Sequence, residues 1–139
     1  MLLSTPAAET VDLSRWKVIS GGAAMPPALA MRARDLGIDV FGGYGMSETC
    51  PVLTLAQIDL GDIGGDQKED LSLRCKAGRA IPLVDLKVVD AELNEKPSDG
   101  EATGEVVVRA PWLTQGYLDD PERSEELWQG GYLHTGDIG

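Results

Sequence analysis

Trp16-Lys17-Val18-Ile19-Ser20-Gly21-Gly22 and, further on, Ile38-Asp39-Val40-Phe41-Gly42-Gly43-Tyr44-Gly45 decide the fold. Each is a short run with β-branched residues, closed by glycines, which reads as a buried strand. Between them, Pro26-Pro27 suits the first turn of a helix, where a missing backbone N–H costs nothing. Leu29, Ala33 and Leu36 then fall at helical spacing on one face, and Gly37 is a C-terminal stop. Strand Trp16 to Ser20, helix and strand Ile38 to Phe41 in so short a span predict a βαβ unit. The fold class is therefore α/β. The glycine-rich segment follows the second strand directly, at the carboxyl end, where open α/β sheets bind ligands.

Gly42-Gly43-Tyr44-Gly45-Met46-Ser47-Glu48-Thr49 puts four chemistries side by side. Glycine lets a ligand approach the backbone. The Tyr44 ring can stack a purine. The Ser47 hydroxyl can donate to a phosphate oxygen, although capping a turn is the commoner task of serine. The Glu48 carboxylate can hold Mg²⁺, which takes few carboxylates and keeps phosphate and water ligands. A second cluster, Tyr132-Leu133-His134-Thr135-Gly136-Asp137-Ile138-Gly139, ends the chain. There an aspartate after a Thr-Gly turn can accept from both hydroxyls of a ribose, or serve only to stabilise the turn.

Between the clusters the pattern changes. Ile58 to Asp70 mixes Asp59, Asp62, Asp66, Glu69 and Asp70 with three glycines, and is read as an acidic flexible loop and an internal boundary. The division is 1–57 as the α/β segment, 58–70 as the loop and 71–139 as a β-rich, barrel-like subdomain. In that second half Val84, Leu86 and Val88 alternate as in a half-buried strand. Glu105 to Arg109 is another strand. Asp120-Pro121 opens a short helix carrying Leu127 and Trp128, which Gly130-Gly131 ends.

The 12 basic and 23 acidic residues leave a net charge of -11, which argues against a nucleic-acid or anionic-membrane partner. It does not exclude ATP, because a bound cation reverses the local sign. No run approaches the roughly 18–20 apolar residues of a transmembrane helix, and Met1 to Thr10 lacks the features of a secretory signal. Cys50 and Cys75 form no redox or metal spacing, so a reduced, cytoplasmic chain is the simple reading.

Tyr44-Gly45-Met46-Ser47-Glu48-Thr49 resembles the Y-G-x-[TS]-E-T signature of adenylate-forming enzymes, the acyl-CoA synthetase (AMP-binding) superfamily. Thr135-Gly136-Asp137 resembles their T-G-D signature. Gly104-Glu105-Val106-Val107-Val108-Arg109 with Gly116-Tyr117 is similar to their G-E…G-Y stretch, and Ser20-Gly21-Gly22-Ala23 to their S-G-G-A element. Gly42 to Ala56 and Lys76 to Leu86 look most like medium-chain fatty acid–CoA ligases.

The resemblance implies an enzyme that activates a carboxylic acid with ATP to an acyl-adenylate and passes the acyl group to coenzyme A, with Mg²⁺ as cofactor. It assigns catalysis to Ser47 and Glu48, and the metal to Glu48. It assigns nucleotide binding to Gly21, Gly22, Ala23, Tyr44, Gly45, Ser47 and Asp137, and the acyl pocket to Gly43 and Met46. His134 receives no role. The family's phosphate-loop lysine, the arginine after T-G-D and the lysine-bearing small domain are not among these 139 residues. The chain is thus expected to be the end of a large N-terminal domain, inactive when isolated. Three alternatives stay open: an aryl–CoA ligase or amino-acid adenylation domain, a nucleotide-binding module without chemistry, and a fragment whose exposed strand edges self-associate.

Overall fold

A computed structural model describes residues 2–58 and 66–139. The chain divides into two compact units. One comprises Met1–Met46 and Pro51–Arg79, the other Ser47–Cys50 and Ala80–Gly139. Residues 71–79, read from sequence with the second half, pack within the first unit.

In the first unit, strands β1 (Lys17–Ser20) and β2 (Asp39–Tyr44) are parallel, with Lys17 opposite Asp39 and Ser20 opposite Gly42. Helix α1 (Pro27–Asp35) connects them, so the βαβ unit forms as expected. Pro26 is its N-cap and Pro27 its first residue. At the other end, Gly37 N–H donates to Arg34 C=O at 2.8 Å and Ile38 N–H to Ala33 C=O at 3.0 Å. That pair of bonds satisfies the last carbonyls in a Schellman motif, which stops the helix at Gly37. Ala30 and Ala33 of α1 are buried with Ala8, Leu13, Met25, Ile38 and Val40, and Leu29 and Leu36 pack at the margin. Short alanines let the helix lie close to the sheet.

The sheet continues through β3 (Thr54–Leu55) to β4 (Arg79–Ala80), in the order β1-β2-β3-β4. β3 runs antiparallel to β2, with Gly43 opposite Leu55 and Tyr44 opposite Thr54. Strand β2 therefore extends through the two glycines instead of ending at Phe41. Pairing on both sides holds the strand through them, and close neighbours favour glycine: a Cβ on Gly43 would lie 3.0 Å from the Ile19 methyl and 3.2 Å from Leu55.

Residues 59–65, most of the expected acidic loop, lie outside the described residues. Its end is not loop. Helix α2 (Gln67–Arg74) begins there, with Asp66 as N-cap accepting from Lys68 N–H. An aspartate cap and acids in the first turn offset the helix dipole, and Leu71 and Cys75 reach the core. Arg74 fastens α2 to β2: it donates to Asp39 at 2.5 Å and to Asp70 at 3.0 Å. Burial works against the Asp39 carboxylate, but hydrogen bonds and charge from Lys17 and Arg74 hold its pKa below the usual value. Burial likewise opposes the Arg74 charge, yet its aspartate partners raise its pKa further.

The second unit is an antiparallel sheet in the order β5-β6-β8-β7, formed by β5 (Asp85–Val89), β6 (Glu105–Arg109), β7 (Trp128–Gln129) and β8 (Tyr132–Ile138). It is an open sheet of four strands among the described residues, not a closed barrel. Val89, Val106, Val108, Leu113, Leu127 and Leu133 are buried in this unit. Helix α3 (Pro121–Leu127) carries the expected cap, Asp120 accepting from Arg123 N–H at 3.1 Å. Trp128 is not helical: it is extended and starts β7. Gly130 and Gly131, both with positive φ, then make the two-residue hairpin turn into β8. No helix of the described residues is long and apolar enough to cross a membrane.

Candidate functional site

In the first unit, two glycine segments lie side by side at the carboxyl ends of β1 and β2. Gly21 leaves β1 so close to Gly43 that a Cβ on it would meet the Gly43 carbonyl oxygen at 3.1 Å. Gly21, Gly22 and Ala23 are exposed, while Gly43, Tyr44, Gly45 and Met46 are half-buried. Gly45 has a specific steric cause: any side chain there would run into the Pro51 carbonyl oxygen. The chain folds back at this point, and Leu53 N–H donates to Tyr44 C=O at 2.8 Å. The unit thus brings the S-G-G-A backbone against Gly43, the residue before Tyr44. Exposed glycine backbone can accept the flat face and polar edge of a base.

In the second unit, Ser47–Thr49 forms a single 3₁₀ turn. Ser47 is exposed, Glu48 half-buried and Thr49 fully buried. Two contacts hold Glu48. Its carbonyl accepts from Thr114 N–H at 2.9 Å, and its Oε1 accepts from the Tyr117 hydroxyl at 2.8 Å. The hydrogen bond to Glu48 raises the Tyr117 pKa, burial and the Glu48 charge add to this, and the phenol stays a donor. Tyr117 is itself fixed. Its N–H donates to Ser124 Oγ at 2.8 Å, and the Arg123 guanidinium lies 4.8 Å from its ring centroid. Gly116-Tyr117 stands out in the sequence as a motif, but the sequence alone gives the tyrosine no task. The signal was the motif itself; the long-range contact to Glu48 could not be seen in it.

The T-G-D segment is a bulge in β8. Glu105 stands opposite Ile138 and Val107 opposite His134, so Val106 alone faces Thr135, Gly136 and Asp137. Gly136 takes φ +73°, in the left-handed region that a side chain disfavours. The Thr135 hydroxyl donates to Val106 C=O at 2.7 Å and accepts from Asp137 N–H at 3.1 Å. A bulge of this kind re-aims a side chain, and Asp137 is exposed on it. His134 lies under the bulge with its Nδ1 2.9 Å from Glu105 Oε2.

Among the described residues, no three His, Cys, Asp or Glu side chains gather as a metal cluster. The donor set around Glu48, one positioned carboxylate with a neighbouring hydroxyl, suits a cation that takes most of its ligands from phosphate and water. Mg²⁺ is such a cation.

Three comparisons bear on this arrangement. The family described as AMP-binding enzyme matches residues 1–118. A long-chain-fatty-acid–CoA ligase of Thermus thermophilus is 38% identical over 123 residues, 88% of this chain and 23% of that protein. A butyrate–CoA ligase of Arabidopsis thaliana is 35% identical over 126 residues, 88% of this chain and 22% of that protein. The N-terminal domain of FACL13 from Mycobacterium tuberculosis superposes with a TM-score of 0.77 at 28% identity, covering 98% of this chain and 32% of that one. The chain spans about a quarter of the length of the curated relatives it matches.

Proposed function

We propose that this chain, which belongs to the AMP-binding enzyme family, is part of an acid–thiol ligase that converts a carboxylic acid, ATP and coenzyme A to an acyl-CoA. The observation that carries the reading is the Glu48 carboxylate, held by the Tyr117 hydroxyl on the turn that also bears Ser47. In the first step a carboxylate oxygen of the acid attacks the α-phosphorus of ATP and pyrophosphate leaves. In the second, the thiolate of coenzyme A attacks the acyl carbonyl carbon and AMP leaves. Two anions meet in the first step, so its barrier is mainly one of positioning and charge.

The residues divide that work. Gly21, Gly22 and Ala23 offer backbone to the adenine, and Tyr44 offers its ring face, with Gly45 permitting the close turn after it. Asp137 accepts from the ribose hydroxyls. Ser47 donates to the α-phosphate. Glu48 would hold Mg²⁺, which supplies neutralisation of phosphate charge when bound. Gly43 and Met46 line the start of the acyl pocket, where a flexible thioether adapts to an alkyl chain. The acid is a fatty acid of medium chain length, a reading that rests on Gly42 to Ala56 and Lys76 to Leu86. The relatives named for long-chain acids and for butyrate stand on either side of it. Free Cys50 and Cys75 are consistent with a reducing, cytoplasmic setting.

ATP–pyrophosphate exchange by the complete protein containing this sequence tests the reading. Exchange should depend on added fatty acid and be fastest at medium chain length. Exchange driven by amino or aromatic acids instead would move the chain to another branch of the family. Absence of exchange with any acid, while ATP binds, would leave a nucleotide-binding module without chemistry.

A further inference from the structure

We propose that Glu105 is a positioning residue for the nucleotide: with His134 fixing its carboxylate, it clamps the T-G-D bulge and so sets where Asp137 meets the ribose. The inference rests on the proposed ribose role of Asp137 and extends it to two residues that act through the backbone.

Glu105 is the first residue of β6, and the bulge lies just beyond it in the ladder. Thr135, Gly136 and Asp137 face a single residue, so the regular strand pairing is locally disrupted. Side chains take over that task. The Thr135 hydroxyl closes one side of the bulge through Val106 C=O and Asp137 N–H. Glu105 closes the other: its Oε1 accepts from Gly136 N–H at 3.1 Å, while its Oε2 lies 2.9 Å from His134 Nδ1. One carboxylate therefore joins the glycine of the bulge to the residue at its base.

The histidine makes this contact directional. Its side chain is only 13% exposed, against 30% for Glu105. Its Nε2 is buried without a hydrogen-bond partner among the described residues. The Glu105 contact is thus the polar interaction that fixes the ring, and a carboxylate acceptor there requires the hydrogen on Nδ1. A charged acceptor also holds the Gly136 N–H more firmly than a neutral one or water would. Without it, a glycine at positive φ is free to leave that conformation, and Asp137 moves with it.

Calorimetric titration of the complete protein with AMP and with 2′-deoxy-AMP tests this. Wild type should prefer AMP. Glu105→Ala should lose about tenfold of that preference, the loss of one hydrogen bond to a charged group, with an unchanged KM for the carboxylic acid. Glu105→Gln keeps an acceptor oxygen for Gly136 N–H and should restore the preference to within about threefold of wild type. Should Glu105→Ala not fold, Glu105→Met fills the same volume without an acceptor and reads the same loss. Parallel weakening of AMP and 2′-deoxy-AMP, with their ratio intact, would reduce Glu105 to a structural role and overturn the proposal. A wild type that binds both nucleotides equally would overturn the ribose reading itself, and this inference with it.

Discussion

Replacing Thr135 by valine removes a hydroxyl and keeps the branched shape, so it tests the bulge with little change in packing. The hydroxyl donates to Val106 C=O at 2.7 Å and accepts from Asp137 N–H at 3.1 Å. A neutral hydrogen bond contributes about 0.5–1.5 kcal/mol net, so the two together contribute about 1–3 kcal/mol. Asp137 is exposed, and its N–H finds water once the hydroxyl is gone. That discounts the loss to about 1–2 kcal/mol, and since about 1.4 kcal/mol is tenfold, Thr135→Val should weaken ATP about 5- to 30-fold. The carboxylic acid should be unaffected, because nothing in the bulge is assigned to it. The assay is pyrophosphate exchange with each substrate varied separately, alongside a thermal unfolding curve. An unchanged KM for ATP in a folded variant, or an equal loss toward both substrates, would refute the argument that the bulge orients a nucleotide-binding aspartate.

Glu48→Gln should slow adenylation about 10²-fold or more, the scale of one preorganised electrostatic contact at about 2.7–4 kcal/mol; an unchanged rate at limiting Mg²⁺ would remove Glu48 from the site. Tyr117→Phe takes away the donor to Glu48 Oε1 and should raise the Mg²⁺ concentration needed for half-maximal exchange; an identical Mg²⁺ curve would show that the hydroxyl does not position the carboxylate. Stability should depend on Asp39 at low pH. Its folded pKa is depressed, so its contribution is fully present above the unfolded value of about 3.9 and is lost as pH falls from there through the folded value. Wild type and Asp39→Asn should therefore differ in unfolding midpoint near neutrality and converge in acid; a constant gap at every pH would contradict this.

The βαβ unit was legible because three local signals agreed: β-rich runs, prolines before a helix and Gly37 after it. The Asp120 cap was legible for the same reason. Strand β2 runs to Tyr44, three residues past the expected end at Phe41: glycine weakens a strand on propensity alone, and its place here is set by pairing with β1 and β3. Helix α2 was hidden by its own charges. Its acids resemble a solvated loop, and only Asp66 N-capping Lys68 and the Arg74 bridges to Asp39 and Asp70 reveal a helix tied to the sheet. Trp128 followed a helical run, but the Gly130-Gly131 turn requires paired strands on both sides and pulls it into β7.

Spacing marks the motif residues in the sequence, but not the contacts that Tyr117 and Glu105 make to them. Tyr117 lies 69 residues from Glu48 and Glu105 lies 31 from Gly136, separations that only folding closes. Both stood within quoted motifs, so the pattern marked them without disclosing their contacts.

A crystal structure of the complete protein with a non-hydrolysable acyl-adenylate analogue decides whether Asp137 holds the ribose. Both ribose hydroxyls should lie within about 2.7–3.0 Å of the Asp137 carboxylate. An adenylate bound with its ribose away from Asp137 would contradict that role.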